Sequence, residues 1–234
     1  MYRYLLLIFV SAFAIADCNE FYFNETKPTI NQTGQEVCFK EYAVMYSQQM
    51  NAPLYAVQRL TSEQIKGSEA ISRDDAFHAE KKVGARVRPS DYASTGYDKG
   101  HLVPAGDEGT IAAQYESFSM ANMVPQVPVN NRIVWRGIEK RVHELAGKLD
   151  TRAEMYVVTG AVFGSDTISN KIRIPEYLFK AIYSPSTGHV GVYVAPNDTS
   201  KSVSVMSIRS FMEMSSVDPF PVLDEDLRSK IKLN

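Results

Sequence analysis

His101 is the residue on which any chemistry in this chain turns. It closes the run Asp98, Lys99, Gly100, His101, and the apolar segment Leu102 to Ala105 follows it. An imidazole titrates near neutrality, so it is the side chain suited to accepting a proton at working pH. A lone histidine beside glycine and apolar residues is more often simply packed, and its neighbours in sequence decide the matter. Downstream come Asn122 within the run Met120 to Gln126, then Asn131, Trp135 and Glu139. The two cysteines, Cys18 and Cys38, have no His or Cys beside them at metal-ligand spacing, which argues against a zinc site.

These motifs, in this order and at these gaps, resemble the DNA/RNA non-specific endonucleases with a ββα-metal site. That family carries Asp-Arg-Gly-His, then Ser-Asn-(apolar)-Pro-Gln, then Asn, Trp and Glu on one helix. The likeness runs from about Arg59 to Glu139, with weaker echoes in the strands after Met155. It implies that His101 is the general base, that Arg59 contacts the scissile phosphate, and that Glu139 completes the catalytic set. Asn131 would ligate the metal. Asp98, Gly100 and Asn122 would give structural support, Gly100 by letting the backbone turn tightly beside His101, and Trp135 would pack beneath the site.

Two positions depart from the pattern. Lys99 stands where the family has Arg, and lysine cannot make a two-pronged contact to phosphate. His143 stands where several members have Arg, leaving Arg136 or Arg141 to supply that cation. Lys99 and Arg136 are the substrate-binding candidates.

The spacing bears on the metal. Asn131 opens a helix and Glu139 lies eight residues on. In a regular α-helix they would be about 80° apart around the axis and about 12 Å apart along it. Direct binding of one ion by both is therefore difficult, which favours Asn131 as ligand and Glu139 acting through a water. So sparse a shell suits Mg²⁺, which keeps several waters, and Mn²⁺ would accept the same oxygen-rich site.

The elements that must position these residues follow from periodicity. Val134, Ile138, Val142 and Leu145 form an apolar stripe, predicting a helix over 131–147 with Gly147 as its stop. Residues 55–60, 155–160, 177–183, 189–195 and 203–208 read as strands, the first placing Arg59 on the face of Tyr55 and Val57. Residues 62–86 are charged and read as loops with a short helix. Strands dominate without regular βαβ alternation, so the expected class is α+β, a mostly antiparallel central sheet with flanking helices.

The 234 residues suit one domain, expected over 17–234. Arg3, the apolar run from Leu5 to Ala16 and its Ala-Ile-Ala ending have the layout of a secretory signal peptide, with cleavage after Ala16. The run falls short of the roughly 20 residues that span a bilayer. A secreted or periplasmic protein follows, with no membrane association once the signal is removed. Export permits a disulfide between Cys18 and Cys38. Asn24, Asn31 and Asn197 each open an N-glycosylation triplet, relevant only in a host that glycosylates. The net charge of −2 argues against a protein that coats nucleic acid, but an enzyme needs only a local basic cleft. The partner expected is DNA or RNA, with a second copy of the chain or an inhibitor protein as further candidates. Two other functions share the resemblance, an inactive nucleic-acid-binding protein and an inhibitor-controlled nuclease toxin. The first should lack His101, Asn131 or Glu139, and all three are present.

Overall fold

In a computed structural model of the chain, residues 18–84 and 86–233 are described, so the signal-peptide stretch lies outside them. The strands are β1 (Gln35–Cys38), β2 (Tyr42–Ser47), β3 (Ala52–Leu60), β4 (Asp98–His101), β5 (Met123–Gln126), β6 (Met155–Ile168), β7 (Ile172–Tyr183), β8 (Val190–Pro196) and β9 (Ser204–Met206). The helices are α1 (Ser62–Glu69), α2 (Ile111–Ser117), α3 (Arg136–Gly147), α4 (Ile208–Ser215) and α5 (Glu225–Arg228). Among the described residues, seven strands form one sheet in the order β1-β2-β3-β6-β7-β8-β9, each pair antiparallel. β4 and β5 form a separate antiparallel pair, with His101 opposite Met123 and Asp98 opposite Gln126. The α+β class expected from the strand pattern is the class observed.

Both faces of the large sheet are covered, and the period of two along each strand decides what lies on which side. Ala56 and Leu60 of β3 and Leu178 and Ile182 of β7 pack with Trp135, Ile138, Val142 and Leu145. Tyr55 and Val57, with Phe179 and Ala181, pack instead with Phe211, Phe220 and the N-terminal Phe21. The helical stripe is thus the inner face of α3. Burying each of its large apolar side chains is worth about 1.5–3 kcal/mol over leaving it exposed.

The helix that carries the motif begins differently from a regular α-helix. Residues Asn130–Trp135 form a wide turn in which the Arg136 N–H reaches the Asn131 carbonyl, five residues back. The regular 100° step therefore does not apply between Asn131 and Glu139. Such local widening occurs often at functional sites. Gly147 is the last residue of α3 rather than a stop beyond it. At the far end of the sheet, the strand expected over 203–208 is shorter, because the Ser207 side chain accepts the Ser210 N–H and starts α4 at Ile208.

Cys18 and Cys38 are disulfide-bonded, tying the leading segment to β1. Asn24 and Asn31 are exposed. Asn197 is not free to carry a glycan: its Oδ1 accepts the Val127 N–H at 2.8 Å, and its Nδ2 donates to Pro125 and Pro175 carbonyls. That amide ties β5 and its exit to β7.

Candidate active site

The β4–β5 hairpin and the helix that follows it make a ββα unit. Gly100 lies within β4, and its backbone does not turn. A Cβ there would sit 2.0 Å from Oε1 of the fully buried Gln126, so glycine is required by close approach across the hairpin and not by a tight turn. Beyond His101 the chain is held by Asn122, which is wholly buried. Its Oδ1 accepts the Val103 N–H at 3.0 Å, and its Nδ2 donates to the Val103 and Ser117 carbonyls. Asn122 therefore fixes the backbone just after His101.

A cleft of about 390 Å³ opens over this unit. β4 contributes Lys99 and His101, the wide turn contributes Asn131 and Arg132, and α3 contributes Arg136 and Glu139. Arg73, from the segment after α1, completes the wall. The four cations make the cleft basic in a chain whose net charge is −2.

His101 is buried, its ring edge-on to Phe118 at 5.0 Å and tilted against Phe77 at 5.6 Å. Its Nε2 has no hydrogen-bond partner among the described residues. Burial, then the Arg73 and Lys99 charges, push the imidazole down to about 3, opposed in part by Asp75. The ring is neutral at physiological pH, with a nitrogen available to take a proton.

Asp98 sets the neighbouring amide. Its Oδ2 accepts from Asn131 Nδ2 at 2.9 Å and from Arg132 Nε at 2.8 Å, while Arg132 Nη2 reaches Oδ1 at 2.7 Å. Burial alone would raise the Asp98 carboxyl, but Arg132 and Asn131 outweigh it and hold it below the usual carboxylate range. A carboxylate accepts only, so it must face the NH₂ of Asn131, and the amide oxygen is the atom left for another partner.

Glu139 is half-buried on the same cleft. Burial, reinforced by Asp107, pushes its carboxyl up to about 7 against the opposing charges of Lys180, Arg73 and Arg136. A divalent cation placed here would favour the carboxylate. Among the described residues no three His, Cys, Asp or Glu side chains cluster to hold a metal. The donors offered are instead one fixed amide oxygen and one carboxylate in an open, polar cleft. That set fits a hard, hydrated ion such as Mg²⁺ and does not fit zinc.

Arg59 is not part of this cleft. It lies on the Tyr55 and Val57 side of β3, whereas the ββα unit covers the Ala56 and Leu60 side. There it pairs with Glu154 at 2.9 Å and with Glu20 at 3.6 Å. The arginine that lines the cleft with His101 and Glu139 is instead Arg73; the charged, aperiodic stretch around it gave no signal beyond the arginine itself. Arg141 is also elsewhere, hydrogen-bonded to Tyr193. His143 is on the Glu139 side of α3, but its Nδ1 lies 3.0 Å from Oδ1 of the buried Asp107, whose hydrogen bond raises the His143 pKa.

Sequence reasoning also missed Lys180, a fully buried lysine on the site-facing side of β7. Its Nζ donates to Thr159 Oγ1 at 2.7 Å and to the carbonyl of Leu102, next to His101, at 3.4 Å. It also lies 5.6 Å from the centre of the Trp135 ring. Trp135 is wholly buried and serves as packing.

Fold and cleft together define an α+β protein whose ββα unit presents a neutral imidazole, an oriented amide and a carboxyl group to a basic cleft. The chain belongs to the DNA/RNA non-specific endonuclease family, whose model matches residues 22–217. It is similar to a nuclease of Nostoc sp., 32% identical over 161 residues, covering 65% of this chain and 56% of the relative. Nuclease C1 of Cunninghamella echinulata var. echinulata is 28% identical, with 68% of this chain and 69% of the relative covered. The mitochondrial endonuclease G of Bos taurus is 29% identical, with 67% and 57% covered. The chain thus spans little more than half the length of two of these three relatives. In fold it resembles a solved structure of the EndoG/EndoGI complex, at a TM-score of 0.65 and 22% identity, covering 85% of this chain and 90% of that one.

Proposed function

We propose that this protein is a secreted, divalent-cation-dependent endonuclease that hydrolyses phosphodiester bonds in DNA, RNA or both with little sequence preference. The observation that carries the reading is the unpartnered Nε2 of a neutral His101, in one basic cleft with an Asn131 whose oxygen is left free by Asp98. Arg73, Lys99 and Arg136 hold the phosphate backbone, which every sequence shares, and this favours cleavage without base readout. His101 accepts the proton of the attacking water. A phosphate seated against Arg73 and Lys99 offsets the two charges that depress the imidazole, raising its basicity when substrate is present. Asn131 and Glu139 would hold Mg²⁺, with Mn²⁺ as a substitute. When bound, the ion supplies electrostatic stabilisation of the charge that develops on the phosphoryl oxygens and the leaving group.

Secretion is supported by the signal-like segment ending at Ala16 and by the Cys18–Cys38 disulfide, which suits an oxidising compartment. Among the described residues no helix is long and apolar enough to cross a membrane. An inhibitor protein as partner draws support from the likeness to the EndoG/EndoGI complex, in which EndoG is inhibited.

The test is digestion of supercoiled plasmid and structured RNA with and without EDTA. The wild type should nick the closed circle, stop in EDTA and recover with Mg²⁺. His101→Ala should turn over about a hundred- to ten-thousandfold more slowly at the same Mg²⁺ requirement. Undiminished nicking in EDTA, or by His101→Ala, would overturn the assignment.

A further inference from the structure

Beside the cleft, on the other side of the segment that carries Arg73, lies a second and mainly apolar groove of about 280 Å³. Ile111 and Tyr115, one helical turn apart on α2, border it, and Ile71, Ser72 and Asp74 close it from the opposite side. Both large side chains are strongly exposed, Ile111 at 77% and Tyr115 at 53%. The Tyr115 ring is already stacked on His78, with centroids 4.5 Å apart and planes within 4°. The Asp74 N–H donates to Gln114 Oε1 at 3.2 Å, tying the segment to α2.

The groove and the catalytic cleft adjoin across one short stretch of chain: Ser72 and Asp74 border the groove, and Arg73 between them lines the cleft. Arg73 lines the cleft and lies 5.1 Å from the centre of the Phe118 ring, which in turn meets His101 at 5.0 Å. Tyr115 precedes Phe118 by three residues at the end of α2. A nucleotide whose phosphate sits at Arg73 therefore has this groove within reach of its base. Charge separates the two halves: cations line the cleft, whereas Asp74 borders the groove and would repel a phosphate placed there.

We propose that the groove is a stacking subsite for one unpaired nucleobase flanking the scissile phosphodiester, with Tyr115 as platform and Ile111 as apolar edge. It rests on the nuclease reading above and deepens it. A base is an apolar-faced, uncharged ring that stacks on an exposed aromatic in any sequence, so such a subsite strengthens binding without conferring specificity. It must leave its own stack to enter, so single-stranded or locally opened nucleic acid is the favoured substrate.

The experiment uses a short single-stranded oligonucleotide with one cleavable linkage, the others being methylphosphonate, and two analogues abasic on one or the other side of that linkage. With wild-type protein, one abasic analogue should show KM raised about fivefold to a hundredfold, with kcat nearly unchanged. Tyr115→Ala should raise KM on the intact oligonucleotide by the same factor and no longer respond to the missing base. Tyr115→Phe should behave as wild type, and Ile111→Ser should repeat the Tyr115→Ala result more weakly. Equal losses on intact and abasic substrates would mean a structural effect, and a wild-type KM for Tyr115→Ala would mean no subsite; either overturns the proposal. A change confined to sedimentation behaviour would assign the groove to self-association, which also overturns it. If the wild type nicks supercoiled plasmid in Mg²⁺ but does not distinguish the intact from the abasic oligonucleotides, the subsite alone fails; if it leaves the plasmid uncut, the nuclease reading fails and the subsite with it.

Discussion

An arginine on a strand is placed by which face of the sheet it occupies, and this separates Arg59 from Arg73. The alternation that puts Arg59 beside Tyr55 and Val57 is readable from sequence, but the side of the sheet that the ββα unit covers is not. Arg59 ends up held by Glu154 and Glu20 on the far side. Arg59→Ala should therefore leave turnover unchanged and alter stability by no more than about 1 kcal/mol, the usual size for a partly exposed pair. Arg73→Ala should weaken cleavage at least about tenfold, through the lost phosphate contact and the altered field at His101. Side-by-side initial rates and denaturant midpoints decide between them, and a large activity loss in Arg59→Ala would return that residue to the mechanism. His101, Lys99, Asn131, Arg136 and Glu139 share the cleft as the motif implies, because a hairpin and the helix after it bring sequence neighbours together. Arg73 comes from a segment without periodicity, and nothing local announces where such a segment will fold back.

At the level of elements, the strands near the site were legible because their apolar runs are long, and α3 because its stripe is regular. The short β1 and β2 and the helix α2 give weaker patterns, and tertiary packing settles them. The wide turn at Asn130–Trp135 was not legible, since only Val134 of the apolar stripe falls within it and one position carries no period. Lys180 was illegible for a related reason. A lysine in a strand ordinarily marks a solvent-facing position, yet here β7 is central and covered on both sides. Burial lowers its pKa, opposed by Glu139 and Asp107, which are the charges that make a buried ammonium tolerable. Lys180 joins β7 to Thr159 on β6 and to the chain leaving β4, so it supports the floor on which His101 is held. Lys180→Met keeps the length and removes the donors. It should destabilise the protein by about 1–3 kcal/mol, the cost of leaving buried acceptors unpaired. An unchanged urea midpoint would show that the lysine does not hold these strands.

Across the whole molecule, the formal charge of −2 conceals a division between a basic cleft and an acidic remainder, and some of that acid is buried. Glu108 is completely inaccessible, and among the described residues only its Oε1 has a partner, Gln58 Nε2 at 3.2 Å. Glu108 Oε2 and Gln58 Oε1 both lack one among those residues. A proton on Glu108 is the donor that this pair lacks. Burial, then the charges of Glu41 and Asp107, raise its pKa well above the usual carboxylate value. Above about pH 4.5 the unfolded chain releases a proton that the folded chain retains, so this group makes stability fall as pH rises. His101 acts at the other end. Its folded pKa lies near 3, so the unfolded chain takes up a proton that the folded chain refuses, and stability falls as pH drops below about 6.5. The two buried groups therefore limit the protein from opposite sides. Glu108→Gln supplies an NH₂ to Gln58 Oε1 at nearly the same volume and removes the alkaline limit alone. The variant should gain stability relative to wild type as pH rises from 5 towards 8, by up to about 1.4 kcal/mol per pH unit while the folded wild type keeps its proton. Melting temperatures of both proteins at pH 5 and pH 8 measure the gap. A gap that stays constant or narrows with pH would mean that Glu108 is ionised in the folded protein and its charge is balanced by some other group.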